Sequence, residues 1–176
     1  YAKERLSLVT MEMATPSSKI AAGEIALNES METTHYSAMD KMGNIVGITT
    51  TINHSYGNKK IVDGAGFLLN NEMDDFSSKP GVQNTYGLVG YSANSIQPSK
   101  RPLSSMTPSL VIDKEGNRMM TIGAAGGSRI ITAVLQTIIS VIDHNLGIQE
   151  AIDLPRTHSQ WLPDVIRYEA KALTDK

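Results

Sequence analysis

The sequence contains no cysteine, which excludes disulfide bridges, thiolate metal ligands and cysteine nucleophiles together. That absence leaves the compartment open, since disulfide-free chains occur both in the cytosol and outside it. No apolar run approaches the ~18 residues that span a bilayer. No basic cluster stands out, and 16 Lys and Arg face 18 Asp and Glu for a net charge of −2. Nucleic acid and anionic membrane are thereby disfavoured as main partners. The opening residues 1–6 are polar and charged, so no leading signal segment is expected. Apolar residues make up 40% of the 176 and charged ones 19%. Spread along the whole chain, they argue against wholesale disorder and for one domain with a real hydrophobic core.

Residues 1–32 read as a connector. Residues 1–8 suit the end of a helix, Thr15-Pro16-Ser17-Ser18 is loop chemistry, and apolar anchors such as Ile20 and Ile25 are scattered. Alternation then begins: residues 35–40 and 45–52 flank Lys41-Met42-Gly43-Asn44, a hairpin signature. Residues 65–70 read as another strand. Residues 74–97 form a long irregular stretch, and a loop of that length in a compact domain is usually functional, often a lid. A second hairpin is expected from residues 110–113 and 118–122 about Lys114-Glu115-Gly116-Asn117. The glycine-rich residues 123–128 lead into a helix with Ile130, Val134, Ile138, Val141 and Ile142 on one face, closed by a Gly147 cap. A short helix over 149–154 stops at Pro155, and residues 165–169 suit a last strand. Hairpins followed by helix predict an α+β fold, antiparallel sheet packed on helix.

The conventional chemical signatures are weak. His35, His54, His144 and His158 lack ligand spacing, so no metal site is expected. Asp74-Asp75 could be a carboxylate pair, but sequence neighbours point apart, and a solvated acidic turn explains them as well. The glycine run before the helix could cradle an anion on backbone N–H groups, or simply make a tight turn. It lacks the Lys-Ser/Thr of a nucleotide-binding loop.

Several segments taken together are more informative. They are Thr33-Thr34-His35-Tyr36-Ser37, Asp40-Lys41-Met42-Gly43-Asn44, Leu69-Asn70-Asn71-Glu72-Met73-Asp74-Asp75-Phe76 and Lys100-Arg101-Pro102-Leu103-Ser104-Ser105-Met106. Gly126-Gly127-Ser128-Arg129-Ile130-Ile131 follows, then Pro155-Arg156 with His158 and Gln160-Trp161-Leu162-Pro163. In order and spacing, from about residue 33 to 169, they resemble the small catalytic subunit of the γ-glutamyltranspeptidases, members of the N-terminal-nucleophile hydrolase superfamily. Residues 1–32 resemble the end of that family's large subunit, and residues 33–176 its small subunit, stopping short of the usual final strands. The chain therefore reads as a fragment of a longer protein.

The resemblance implies an αββα sandwich, present in part, and self-cleavage between Glu32 and Thr33. A threonine hydroxyl is a poor nucleophile without a base in reach. The α-amine freed by that cut has an ordinary pKa of about 7.7–8, so much of it is neutral at working pH. Thr33 would thus cut the chain first and afterwards form the acyl-enzyme. By position, Thr51 matches a hydroxyl supporting the nucleophile, and Asn53, Glu72 and Asp75 match the residues that take the substrate α-ammonium. Ser104 and Ser105 match hydroxyls holding its α-carboxylate, Gly126 and Gly127 the oxyanion hole, and residues 80–90 with Tyr86 a lid. An arginine clamp belongs to the large subunit, outside this sequence. Implied are hydrolysis of γ-glutamyl amides such as glutathione, transfer to amino acids or dipeptides, no cofactor, and a periplasmic, secreted or cell-surface location. A cephalosporin acylase, a poly-γ-glutamate processing enzyme, or a catalytically silent packing fragment remain the alternatives. The Glu72 and Asp75 carboxylates favour a substrate with a free α-amine.

Overall fold

The computed structural model describes residues 32–173. The expected helix end, loop and apolar anchors within residues 1–31 lie outside the described residues.

Strand β1 (Thr34–Met39) pairs antiparallel with β2 (Ile45–Thr50), Thr34 opposite Thr50 and Met39 opposite Ile45. The turn is built by side chains as much as by glycine. The Asp40 carboxylate accepts the Met42 and Asn44 N–H groups at 2.8 Å and the Asn44 amide at 2.7 Å, while Gly43 takes φ +82°. The second hairpin, β3 (Ser109–Ile112) with β4 (Arg118–Ile122), repeats the device. There Asp113 accepts from Glu115, from the Asn117 backbone and from the Asn117 amide, with Gly116 at φ +87°. Both turns spell Asp-Lys-x-Gly-Asn, at residues 40–44 and 113–117.

The hairpins approach each other through glycine. A Cβ on Gly47 would overlap the Thr121 hydroxyl, and one on Gly123 would overlap the His35 ring. His35 is held by Thr49 at 2.8 Å and Ser37 at 3.1 Å, so it has little freedom to retreat. Gly123→Ala is therefore expected to destabilise the fold by about 1–3 kcal/mol, the usual cost of overpacking. A urea titration of this variant against Gly43→Asn, at a turn where Asn tolerates positive φ, checks this. Equal midpoints would remove the close approach from the account.

Helix α1 (Arg129–Ile142) packs on α2 (Ile148–Asp153) and on β5 (Thr157–His158), which pairs with β6 (Arg167–Tyr168). The helix was expected against the Thr33 hairpin; its nearest elements are these C-terminal ones instead. Its buried residues are Ile130, Val134, Thr137 and Ser140, so the covered face is turned from the expected one and Ile142 is exposed. Gly147 does not close α1. Asp143 does, Asn145 supplies the left-handed residue at φ 54°, and Gly147 begins α2 in extended geometry with its N–H on the Glu150 carboxylate at 2.9 Å. Residues 65–70 are likewise no strand: Gly64 and Gly66 both take φ 73°, leaving a single bridge between Ile61 and Leu68. Residues 74–97 are irregular, as expected, but firmly packed, with Phe76 and Tyr86 buried.

The core gathers where this loop meets the start of α1. The sheets contribute little: Tyr36, Val46, Ile48, Leu110 and Ile112 remain exposed. The expectation that the apolar residues fill one core is thus met only in part.

Candidate active site

A cavity of about 180 Å³ opens between the end of the first hairpin, the packed loop and the glycine turn before α1. Thr33, Thr51, Asn53, Glu72, Asp75, Tyr86, Ser104, Ser105 and Gly127 all line it. Nine of the ten expected residues are thus brought to one place. Gly126 is not among the lining residues; it lies buried beside Gly127 in the same turn.

The hairpin register explains one wall. Because Thr34 pairs with Thr50, the flanking Thr33 and Thr51 emerge together at the open end. β1 thus starts one residue ahead of the expected 35 and leaves Thr33 just outside the paired strand. The Thr51 hydroxyl accepts the Asn53 N–H at 2.9 Å and donates to the Glu32 carbonyl at 3.5 Å. It thus touches the carbonyl of the Glu32–Thr33 peptide bond. Asn53 is 3% exposed and sits at φ 74°, a left-handed conformation that asparagine tolerates better than most side-chain-bearing residues. Its amide nitrogen donates to the Asn71 carbonyl at 3.2 Å, which leaves the amide oxygen as its accepting end. Asn71 also takes the His54 N–H on its side chain and meets the His54 ring at 3.1 Å. This clamp was missed in sequence, although Asn71 stands inside a quoted motif: an Asn next to an acidic run has no signature of its own.

Glu72 and Asp75 occupy the two ends of one 3-10 turn (Glu72–Asp75). Glu72 Oε1 is buried without a partner among the described residues. Burial, then the hydrogen bond and charge of Asp75, push Glu72 up from 4.5 to about 7. Asp75 is raised as well, chiefly by burial, with Asp74 adding repulsion while the Glu72 bond and His54 oppose. The pair therefore retains a proton well above the ordinary carboxylate range. Since the unfolded chain would release that proton earlier, this site's contribution to stability falls as pH rises from 4.5 towards about 7. Asp74, by contrast, accepts the Thr85 N–H at 3.1 Å and ties down the loop. The Asp74-Asp75 dipeptide is thus neither a carboxylate pair nor a merely solvated turn, because its members face different tasks.

Tyr86 forms part of the cavity wall. Its hydroxyl donates to the Asn53 carbonyl at 2.9 Å, and burial together with the nearby acids pushes its pKa up to about 12, so the donor stays protonated. Its ring lies on Gly127, where a Cβ would come within 2.7 Å of Cδ1; φ there is +58°. Among the described residues neither the Gly126 nor the Gly127 N–H donates to the chain itself. Two backbone donors in such a turn can stabilise a developing oxyanion. Among the described residues no group of three or more metal-ligating side chains occurs, and no helix is long and apolar enough to cross a membrane.

The family model for gamma-glutamyltranspeptidase matches residues 1–176. The chain belongs to that family. It is 51% identical over 169 residues to the glutathione hydrolase proenzyme of Escherichia coli strain K12, covering 96% of this chain and 29% of that protein. The glutathione hydrolase proenzyme of Pseudomonas sp. strain A14 is 47% identical over 174 residues, 99% of this chain and 30% of its own. A solved, acivicin-inhibited gamma-glutamyltranspeptidase superposes with a TM-score of 0.77 at 57% identity, over 80% of this chain and 74% of that one. Its C-terminus has critical roles in autoprocessing and catalysis. This chain thus spans about three tenths of the length of the curated relatives it matches. The α+β fold read from the hairpins and helices is the gamma-glutamyltranspeptidase fold.

Proposed function

We propose that the protein of which this chain is part hydrolyses γ-glutamyl amides such as glutathione and transfers the γ-glutamyl group to amino acids or dipeptides. The observation that carries this reading is one cavity with a hydroxyl pair on the Glu32–Thr33 bond at one end and two protonatable carboxyls at the other. The precursor is processed there: Thr33 Oγ attacks the Glu32 carbonyl carbon, the acyl group moves from nitrogen to oxygen, and water releases it. The freed amine then takes the Thr33 hydroxyl proton as Oγ attacks the γ-carbonyl of a donor. Thr51 polarises the carbonyl in the first reaction and supports the nucleophile in the second. Gly126 and Gly127 receive the oxyanion, Asn53, Glu72 and Asp75 the α-ammonium, and Ser104 and Ser105 the α-carboxylate.

Residues 1–32 form the end of the large subunit in this scheme and 33–176 the small one. The exposed apolar faces of β1–β4 suit packing on the rest of the precursor. The setting is periplasmic, secreted or at the cell surface, by analogy with the family. Incubating the full-length protein with a γ-glutamyl anilide, and following chain mass for a cut at Glu32–Thr33, tests the proposal. An intact chain that nevertheless turns over substrate would end it.

The carboxyl pair adds a pH signature. A substrate ammonium can replace the retained proton only as the pair ionises, so donor KM should rise as pH falls below about 7, the value for Glu72. The limit is roughly tenfold per pH unit for one proton. A glutaryl amide shares the Thr33 amine but has no ammonium, so its KM should stay flat there. A parallel rise for both substrates would assign the effect to Thr33 and not to the pair.

A further inference from the structure

The Gln160-Trp161-Leu162-Pro163 segment takes no part in the chemistry above, yet Gln160 bridges two walls of the cavity. Its amide nitrogen donates to the backbone carbonyl of Tyr86 in the lid at 3.3 Å. Its amide oxygen accepts the Ser128 hydroxyl at 2.6 Å and His158 Nε2 at 2.9 Å. This pattern sets the amide orientation, because a rotated amide would place its oxygen against the Tyr86 carbonyl. His158 must then donate through Nε2, since the Gln160 oxygen can only accept.

The bridge is well supported from behind. His158 is 7% exposed, and its Nδ1 meets the Thr132 hydroxyl at 2.8 Å. With Nε2 donating, Nδ1 accepts the Thr132 hydroxyl, whose oxygen also lies 3.1 Å from the Arg129 carbonyl in the first turn of α1. Ser128 is 4% exposed and directly follows Gly127, on which the Tyr86 ring rests. Lid and glycine turn therefore meet once through Tyr86 on Gly127 and a second time through Gln160.

We propose that Gln160 is a positioning residue that couples closure of the lid to the geometry of the glycine turn. With the lid down, the amide is bonded at both ends and holds Ser128, and with it the adjacent Gly127. With the lid lifted, the nitrogen end loses its acceptor, and a half-buried amide bonded at one end only holds its partners less firmly. A donor that closes the lid would in this way complete the turn that receives the oxyanion. The purpose of the coupling rests on the γ-glutamyl reading; its existence does not.

The test is local amide exchange in the full-length protein, followed by mass spectrometry over residues 80–90, 123–128 and 34–50, alongside donor kinetics. Gln160→Glu keeps an oxygen for Ser128 and His158 but sets a second oxygen against the Tyr86 carbonyl. Exchange in 80–90 should quicken roughly tenfold while 34–50 is unchanged, and the melting temperature should hold within about 2 °C. Exchange in 123–128 should quicken with that in 80–90, and donor kcat/KM should fall about tenfold with kcat sharing in the loss, the cost expected for one such hydrogen bond. Ser128→Ala, at the other end of the amide, should quicken lid exchange too and lower kcat more than it raises KM. Unchanged lid exchange in either variant would overturn the coupling, as would faster exchange spread evenly into 34–50. Exchange needs no turnover, so a protein inert towards γ-glutamyl donors would sink the functional reading while this one is still decided.

Discussion

Thr33→Ala in the full-length protein should leave one uncleaved chain and reduce γ-glutamyl turnover by at least about 10⁴-fold, the scale of losing a nucleophile outright. Both losses follow from a single atom, because Thr33 Oγ is assigned to self-cleavage and to acyl transfer. Thr34→Ala is the control. Thr34 is an exposed β1 residue opposite Thr50, and its side chain points away from the cavity wall that Thr33 lines. It should keep cleavage and most turnover. The register supports this choice between neighbouring threonines, since only Thr33 lies beyond the paired strand next to Thr51. N-terminal sequencing of processed protein that began at Thr34 would reverse the assignment.

Asp75→Asn should lower kcat/KM for γ-glutamyl donors by about ten- to a hundredfold, given about 1.5–3 kcal/mol for a hydrogen bond between charged groups. The loss should vanish for a glutaryl amide, which has no ammonium. A second effect runs alongside: without the Asp75 charge, Glu72 loses one of the causes that raise it, so the low-pH rise in KM should move to lower pH. If Asp75 only shaped the turn after Met73, both substrates would suffer alike and stability would drop. Equal losses on the two donors would therefore remove Asp75 from the ammonium site and reopen the acylase alternative.

Much of this protein is local and was legible from the sequence. The Asp-Lys-x-Gly-Asn turns close on their own side chains within five residues, so both hairpins could be placed with boundaries good to about two residues. The short helix before Pro155 and the irregular stretch after Asp74 were likewise evident from residue type alone. Where burial had to be guessed, reading failed. Residues 65–70 looked like a strand because Phe67, Leu68 and Leu69 are apolar, but Gly64 and Gly66 bend the chain and Phe67 is exposed. The helix face was misjudged because the side of α1 that meets α2 and β5 buries the polar Thr137 and Ser140, while Ile131, Leu135, Ile139 and Ile142 on its apolar half stay exposed. The apolar stripe therefore does not mark the covered face.

The site divides in the same way. Motif resemblance alone named Thr33, Thr51, Glu72, Asp75 and the two glycines, since each belongs to a short string that can be matched residue by residue. Their convergence could not be read from the chain: Thr33 and Gly127 lie far apart in sequence, and only long-range closure, with glycine permitting the hairpins to touch, puts them around one cavity. The raised carboxyl pair and the Gln160 bridge are tertiary in a stricter sense. A carboxyl's pKa depends on the water it has lost and on the charge beside it, and an amide's role depends on what stands at each of its two ends. Neither quantity exists until the lid, the acidic turn and the start of α1 are packed together.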